Sequence, residues 1–335
     1  MNGRIVWETV GSVVLKGNPL GDPRLRELPV YLPPSYKNEP ERRYPVIYFL
    51  TGFTGTARGL IETHPWKESV AERLDRLIAA RKMPECLLVA PDCFTRYGGS
   101  QYLNSAGTGA YADHIVSELV PYMDARYRTK ADAEARAVMG KSSGGYGALM
   151  FGLRYPEVFR HAVSHSGDLF FEICYGRDFP KCVNALAAYN GGFQRFVKEF
   201  SLAREKSGFP QELVNLAGMG SCYSPNRRSP IGFDIPFDER TGELIPAVWK
   251  RWQACDPVRL AARCVRALNK LTTLYFDCGV KDEFFLHLGA RKFSQVLKKL
   301  GVRHVYEEHA RGHFDMNERY DRSLVRLGRE LRKTG

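Results

Sequence analysis

Short, almost wholly apolar runs recur along the chain, and each stops at a cluster of glycine, aspartate, serine or proline. Pro45-Val46-Ile47-Tyr48-Phe49-Leu50 leads into Thr51-Gly52-Phe53-Thr54-Gly55, and Cys86-Leu87-Leu88-Val89-Ala90 into Pro91-Asp92. Ala137-Val138-Met139 ends at Gly140, and Ala162-Val163-Ser164-His165 at Ser166-Gly167-Asp168. The run 271–276 ends at Asp277-Cys278-Gly279, and Val302-Arg303-His304-Val305-Tyr306 is the last. Runs without polar alternation are strands buried on both faces, as parallel sheets contain. Helical patterns separate several of them; over 111–125, Ile115, Leu119 and Met123 form one stripe. Residues 1–36 read as strands entering the core, with the extended segment 28–36 closed by Pro33-Pro34. The predicted fold is therefore α/β, a βαβ series with a mainly parallel central sheet flanked by helices.

One interval breaks the rhythm. Residues 169–252 are more than a single crossover needs, and they are dense in aromatics, among them Phe170, Phe171, Tyr175, Phe179, Phe193, Trp249 and Trp252. The expected arrangement is a catalytic domain formed by 1–168 and 253–335, with 169–252 inserted after a strand's carboxyl end as a cap over the site. Ligands of open parallel sheets bind outside those ends. The aromatics suit either an apolar or aryl substrate pocket or the insertion's own core.

The chemistry concentrates where the third apolar run ends, in Gly140-Lys141-Ser142-Ser143-Gly144-Gly145-Tyr146-Gly147. Strand, tight turn and helix around G-x-S-x-G make a nucleophile elbow, which exposes a serine hydroxyl at the sheet's carboxyl edge. Ser142 is the candidate nucleophile; Ser143 lacks a small residue on its strand side and offers its backbone N–H instead. A phosphate loop is excluded, because position 135 is alanine rather than the required glycine. A serine needs a general base within reach, and this motif places the acid and then the histidine downstream. His313, after the last strand, is the candidate base, with His309 as its rival. Asp282, in Asp277-Cys278-Gly279-Val280-Lys281-Asp282-Glu283, is the candidate acid, with Asp277 and Glu283 as rivals. The loop after Leu50 supplies a second backbone donor, Phe53 N–H, to an oxyanion hole shared with Ser143 N–H. Gly52, Tyr102 and Asn104 are candidate substrate-binding residues, with Ser105 beside them.

Composition narrows the picture further. The 335 residues are 44% hydrophobic and 26% charged, as in a soluble globular protein. No apolar run approaches the roughly 20 residues of a membrane span, and the first residues carry no secretory pattern. The eight cysteines are irregularly spaced with no C-x-x-C pair, which predicts reduced core thiols, a cytoplasmic setting and no zinc cluster. The net charge of +12 is spread among acids, so no nucleic-acid partner is expected, although the positive excess weakly favours an anionic ester or surface; with no spanning run, no membrane partner is expected.

The segments Tyr48-Phe49-Leu50-Thr51-Gly52-Phe53-Thr54-Gly55 and 140–149, with Asp277-x-Gly279-x-x-Asp282 and Gly312-His313-Phe314, resemble the esterase D family of α/β-hydrolases. That group includes S-formylglutathione hydrolases, feruloyl and siderophore esterases and mycolyltransferases. The resemblance covers 40–168 and 270–330. It implies an α/β-hydrolase fold, a Ser142–His313–Asp282 triad and an oxyanion hole from the Phe53 and Ser143 amides. S-formylglutathione hydrolases usually carry a cysteine in the loop where this chain has Gly55 and Thr56. The implied activity is that of a serine carboxylesterase working through an acyl-enzyme on a small ester, with no metal or organic cofactor. An acyltransferase on the same triad, a thioesterase of the S-formylglutathione type, and a non-catalytic binding protein are the alternatives; a homo-oligomer stays open.

Overall fold

The computed structural model describes residues 1–190 and 192–334. Eight strands form one sheet: β1 (Arg4–Gly11), β2 (Leu25–Leu32), β3 (Val46–Leu50), β4 (Leu87–Val89), β5 (Arg136–Lys141), β6 (His161–His165), β7 (Thr273–Gly279) and β8 (Val305–His309). Their spatial order is β1-β2-β4-β3-β5-β6-β7-β8. Only β2 runs antiparallel to its neighbours β1 and β4; every pair from β4 to β8 is parallel. This is the architecture of the α/β-hydrolases.

The apolar runs become β3 to β7 because both faces of the sheet are covered. Side chains alternate across a strand, so Val46, Tyr48 and Leu50 enter one core and Ile47 and Phe49 the other. Helix α1 (Val70–Ala79) packs on the second face. Its start is fixed by a capping box, in which Ser69 accepts from Glu72 N and Glu72 accepts from Ser69 N. The predicted helix at 111–125 is helical over 111–126, with one π-type turn at His114–Leu119. We call it α2; Ile115, Leu119 and Met123 are buried as the stripe requires. Helix α3 (Ser143–Arg154) follows β5 and is buried along almost all of its length.

Two strand boundaries differ from expectation. β7 runs through Gly279, three residues beyond the predicted end, where it pairs with His309. The last strand begins at Val305 rather than Val302. Val302 N donates to Leu297 O after Gly301 has turned with φ +68°, so Val302 closes the preceding helix and packs in the core.

Within 169–252 the chain is largely helical, with α4 (Phe179–Leu186) and α5 (Gln211–Tyr223). Its aromatics pack on each other, Phe179 against Phe237 and Trp249, Tyr223 against Trp252. They belong to the same apolar cluster as the first face of the sheet. Helices α6 (Leu286–Lys299) and α7 (Arg319–Leu331) complete the layers.

The chain leaves β3 toward β4 on one side and β5 toward β6 on the other. The carboxyl ends of β3 and β5 thus flank a topological switch point, where open α/β sheets form their crevice.

Candidate active site

Ser142 sits in that crevice. It follows β5 directly, with φ 57° and ψ −127°, and α3 begins at the next residue. A non-glycine residue held there is strained. The strain is borne by two hydrogen bonds, Ser142 N to His165 O (2.9 Å) and Tyr146 N to Ser142 O (2.8 Å). The elbow also needs close backbone approach: a Cβ on Gly144 would lie 2.1 Å from Leu50 O.

Asp282 and His313 come together from the loops after β7 and β8. Asp282 Oδ2 accepts from His313 Nδ1 at 2.8 Å, and its Oδ1 accepts from the amides of Phe284 (2.9 Å) and Leu286 (3.3 Å). Both side chains are nearly inaccessible, 2% and 4% exposed. Burial works to raise the Asp282 carboxyl, but the His313 hydrogen bond and charge and the two amides outweigh it and hold it below the ordinary range. Through this contact Asp282 orients the His313 ring by its Nδ1 edge. Glu283 accepts from His313 N at 2.6 Å, and the rings of Phe284 and Phe314 stand edge-on to the imidazole.

Ser142, Ser143, His313 and Phe53 line one cavity of about 430 Å³. The Ser142 hydroxyl makes no hydrogen bond among the described residues, and neither do the amides of Phe53 and Ser143. The Phe53 loop lies against the elbow, since a Cβ on Gly52 would reach 3.4 Å from Ser142 Cβ. Its ring is wedged between Gly98 and Gly218, where added Cβ atoms would come within 2.9 and 2.6 Å of it.

Family comparison coincides with this geometry. Residues 23–320 match the Esterase family model, described as "Putative esterase". The chain belongs to that family. Esterase MT1326 of Mycobacterium tuberculosis (strain CDC 1551 / Oshkosh) is 44% identical over 52 residues, 16% of this chain and 11% of that protein. The match thus spans only about a tenth of that relative's length. Among solved structures, a ferulic acid esterase aligns with TM-score 0.63 and 21% identity over 98% of both chains. The S-formylglutathione hydrolase from Agrobacterium tumefaciens aligns with TM-score 0.59 and 16% identity over 98% of this chain and 96% of that one.

The rival side chains of this esterase-family chain lie elsewhere or do other work. Asp277 accepts from His165 Nδ1 (2.7 Å), Arg319 Nε (3.0 Å) and Tyr275 OH (2.9 Å), deep in the sheet. His309 Nδ1 accepts from Arg311 N, and its Nε2 is buried without a partner. Among the described residues no cluster of three histidine, cysteine or acidic side chains is placed to hold a metal. All eight cysteines are free thiols, six of them buried.

The expected substrate-binding residues do not line the cavity. Tyr102 spends its hydroxyl on Thr51 O (2.7 Å) and is buried, its ring against Gly147. Asn104 sits in a two-residue hairpin strand, where its Oδ1 accepts from Asp113 N. Gly52 lies behind Ser142 rather than in the wall. The walls that sequence reasoning missed come from 169–252: Tyr175, Arg177, Asp178, Lys181, Glu212 and Asn215. Asp168 joins them; it ends the Ser166-Gly167-Asp168 cluster after β6, the same kind of position that singled out Asp282.

Proposed function

We propose that this chain is a serine carboxylic-ester hydrolase with Ser142 as nucleophile, His313 as general base and Asp282 as the carboxylate that orients His313. The observation that carries the reading is the buried Asp282–His313 pair at 2.8 Å, opening on the same cavity as the strained Ser142. His313 Nε2 takes the Ser142 proton as Oγ attacks the ester carbonyl. The Phe53 and Ser143 amides, free of protein acceptors, receive the oxyanion; one such donor is worth about 3 kcal/mol of barrier. His313 returns the proton to the leaving alcohol, and water releases the acyl group from Ser142 by the same steps.

Residues 169–252 act as a cap on a catalytic domain made by 1–168 and 253–335; the polar side chains they contribute to the cavity support this. An aryl acyl group is compatible with the ferulic acid esterase among structures of the same fold. The eight free thiols support a reducing compartment such as the cytoplasm, and no described helix is long and apolar enough to cross a membrane.

Intact-mass analysis after fluorophosphonate treatment tests the assignment. A single adduct on wild type, absent from Ser142→Ala, is expected, with ester hydrolysis lost in the same variant. Ester turnover surviving Ser142→Ala overturns it. Assays with added acceptor alcohols and with thioesters separate hydrolase, acyltransferase and thioesterase.

A further inference from the structure

The cavity has a floor that the reaction above does not use. Asp168 is 6% exposed and lines the cavity beside Ser143. One of its oxygens, Oδ2, takes every donor the protein offers: Ser143 Oγ (3.1 Å), Tyr175 OH (2.9 Å) and Gln101 Nε2 (3.2 Å). Nothing among the described residues donates to Oδ1. Gln101 repeats the imbalance: its Nε2 also reaches Tyr175 OH and Tyr223 OH, while its Oε1 is buried with no partner. Gln101 Oε1 is a buried polar atom left unpaired, which costs about 1–3 kcal/mol, while Asp168 Oδ1 keeps access to the cavity. This network has acceptors to spare and no donor left, so the missing partner is a donor.

The two sides of the cavity assign that partner to one part of an ester. His313 hands its proton to the leaving alcohol, so the alcohol sits against His313, between Phe284 and Phe314. Asp168 is tied instead to the side chain of Ser143, whose amide faces the carbonyl. That wall is left to the acyl chain. Resting on the esterase reading, we propose that Asp168 is a specificity-determining residue whose Oδ1 accepts a hydrogen bond from a hydroxyl group on the acyl part of the substrate. Burial raises the Asp168 carboxyl, and the bonds from Tyr175, Gln101 and Ser143 oppose that rise; a donor on Oδ1 relieves the same cost.

Twin substrates test this. Ethyl esters of hexanoate with a hydroxyl at C2, C3 or C6, and of 3-phenylpropanoate with a hydroxyl at ring position 4, are each paired with the methoxy analogue. The methoxy twin keeps the oxygen and loses the donor. Hydrolysis is followed by pH-stat titration on wild type and Asp168→Asn. The asparagine keeps the shape and, with its carbonyl turned to the three donors, presents an NH₂ to the cavity. A site that pairs a buried acceptor with a substrate hydroxyl discriminates strongly against its absence, so kcat/KM for at least one hydroxy ester exceeds that of its twin by about tenfold or more. The ratio is expected to fall to near unity in Asp168→Asn. Hydrolysis without preference in any pair overturns this inference alone, and so does a preference that survives in the variant. Absence of hydrolysis and of Ser142 labelling overturns the esterase reading and this inference with it. The wild-type ratios decide the case even where the variant fails to fold.

Discussion

Asp282→Asn separates the proposed acid from its rival by geometry alone. Asp282 Oδ1 accepts the Phe284 and Leu286 amides and Oδ2 the His313 ring N–H. An asparagine places its carbonyl where Oδ1 was and keeps both amide bonds, so the loop after β7 holds. Its NH₂ then faces His313 Nδ1 and must donate. The imidazole is driven to carry its proton on Nε2, toward Ser142, and cannot accept another there. The loss expected for such a tautomer error is about 10⁴ in kcat, or about 5.5 kcal/mol of barrier. The assay is kcat on an aryl ester at neutral pH, per serine titratable by fluorophosphonate, with a thermal melt to show that the variant is folded. Asp277→Asn is the matched comparison. It breaks a buried carboxylate held by His165, Arg319 and Tyr275, so it costs about 3–5 kcal/mol of stability. The kcat of its folded fraction stays close to wild type. Folded Asp282→Asn keeping more than about a tenth of wild-type kcat, or folded Asp277→Asn losing it, refutes the assignment of roles.

Two further outcomes follow from the same coordinates. Gly218→Ala places a Cβ 2.6 Å from the Phe53 ring and pushes the loop that presents the Phe53 amide, whereas a Cβ on Gly208 meets nothing within 4 Å; kcat is expected to fall by about tenfold or more in the first and to be unchanged in the second, and equal values dismiss the Phe53 donor. The Asp282 carboxyl is held below its ordinary range, against about 3.9 when unfolded, so its contribution to stability is complete at neutral pH and is lost as pH falls through the folded value. Urea unfolding from pH 7 to 3 should show the gap between wild type and Asp282→Asn narrowing below about pH 4; a constant gap contradicts the linkage.

The sheet was legible because its central strands are buried on both faces, and such strands leave unbroken apolar runs. The elbow was legible because its glycines answer a backbone constraint that no other residue meets, as the 2.1 Å approach at Gly144 shows. The edge was less so: β8 is only half buried, and Val302 looked like a strand residue because helix ends bury apolar side chains too. Tyr102 and Asn104 stand outside the Ser142 cavity for a related reason. A loop at a strand's carboxyl end was the right neighbourhood, but whether a side chain turns to the cavity or to the backbone depends on partners distant in sequence, Thr51 and Asp113 here. The polar wall from α4, α5 and the turn before α4 was hidden among aromatics that serve as core, since the buried aromatics dominate the composition while Arg177, Lys181 and Glu212 touch the cavity.

Hydrogen-bond geometry by itself does not identify the reactive serine in this molecule. A complete Ser–His–Asp chain exists away from the cavity: Ser323 Oγ lies 2.9 Å from His165 Nε2, and His165 Nδ1 lies 2.7 Å from Asp277 Oδ1. All three residues are at most 1% exposed, and the Ser323 hydroxyl also bonds to Tyr320 O within its own helix. None of the three lines the cavity that holds Ser142. Ser142 has the opposite profile, lacking a hydrogen bond to His313 while possessing the cavity, the strained turn and two unengaged amides. Catalytic hydrogen bonds often tighten only when substrate arrives, so access and preorganised donors discriminate better than the apo contact. The buried chain still matters to the exposed one. His165 ends β6, its carbonyl accepts from Ser142 N, and Asp277 locks its ring to β7. The inert hydrogen-bonded chain ties β6 to β7, and none of its three side chains lines the cavity, so its disruption should appear as lost stability and not as altered chemistry.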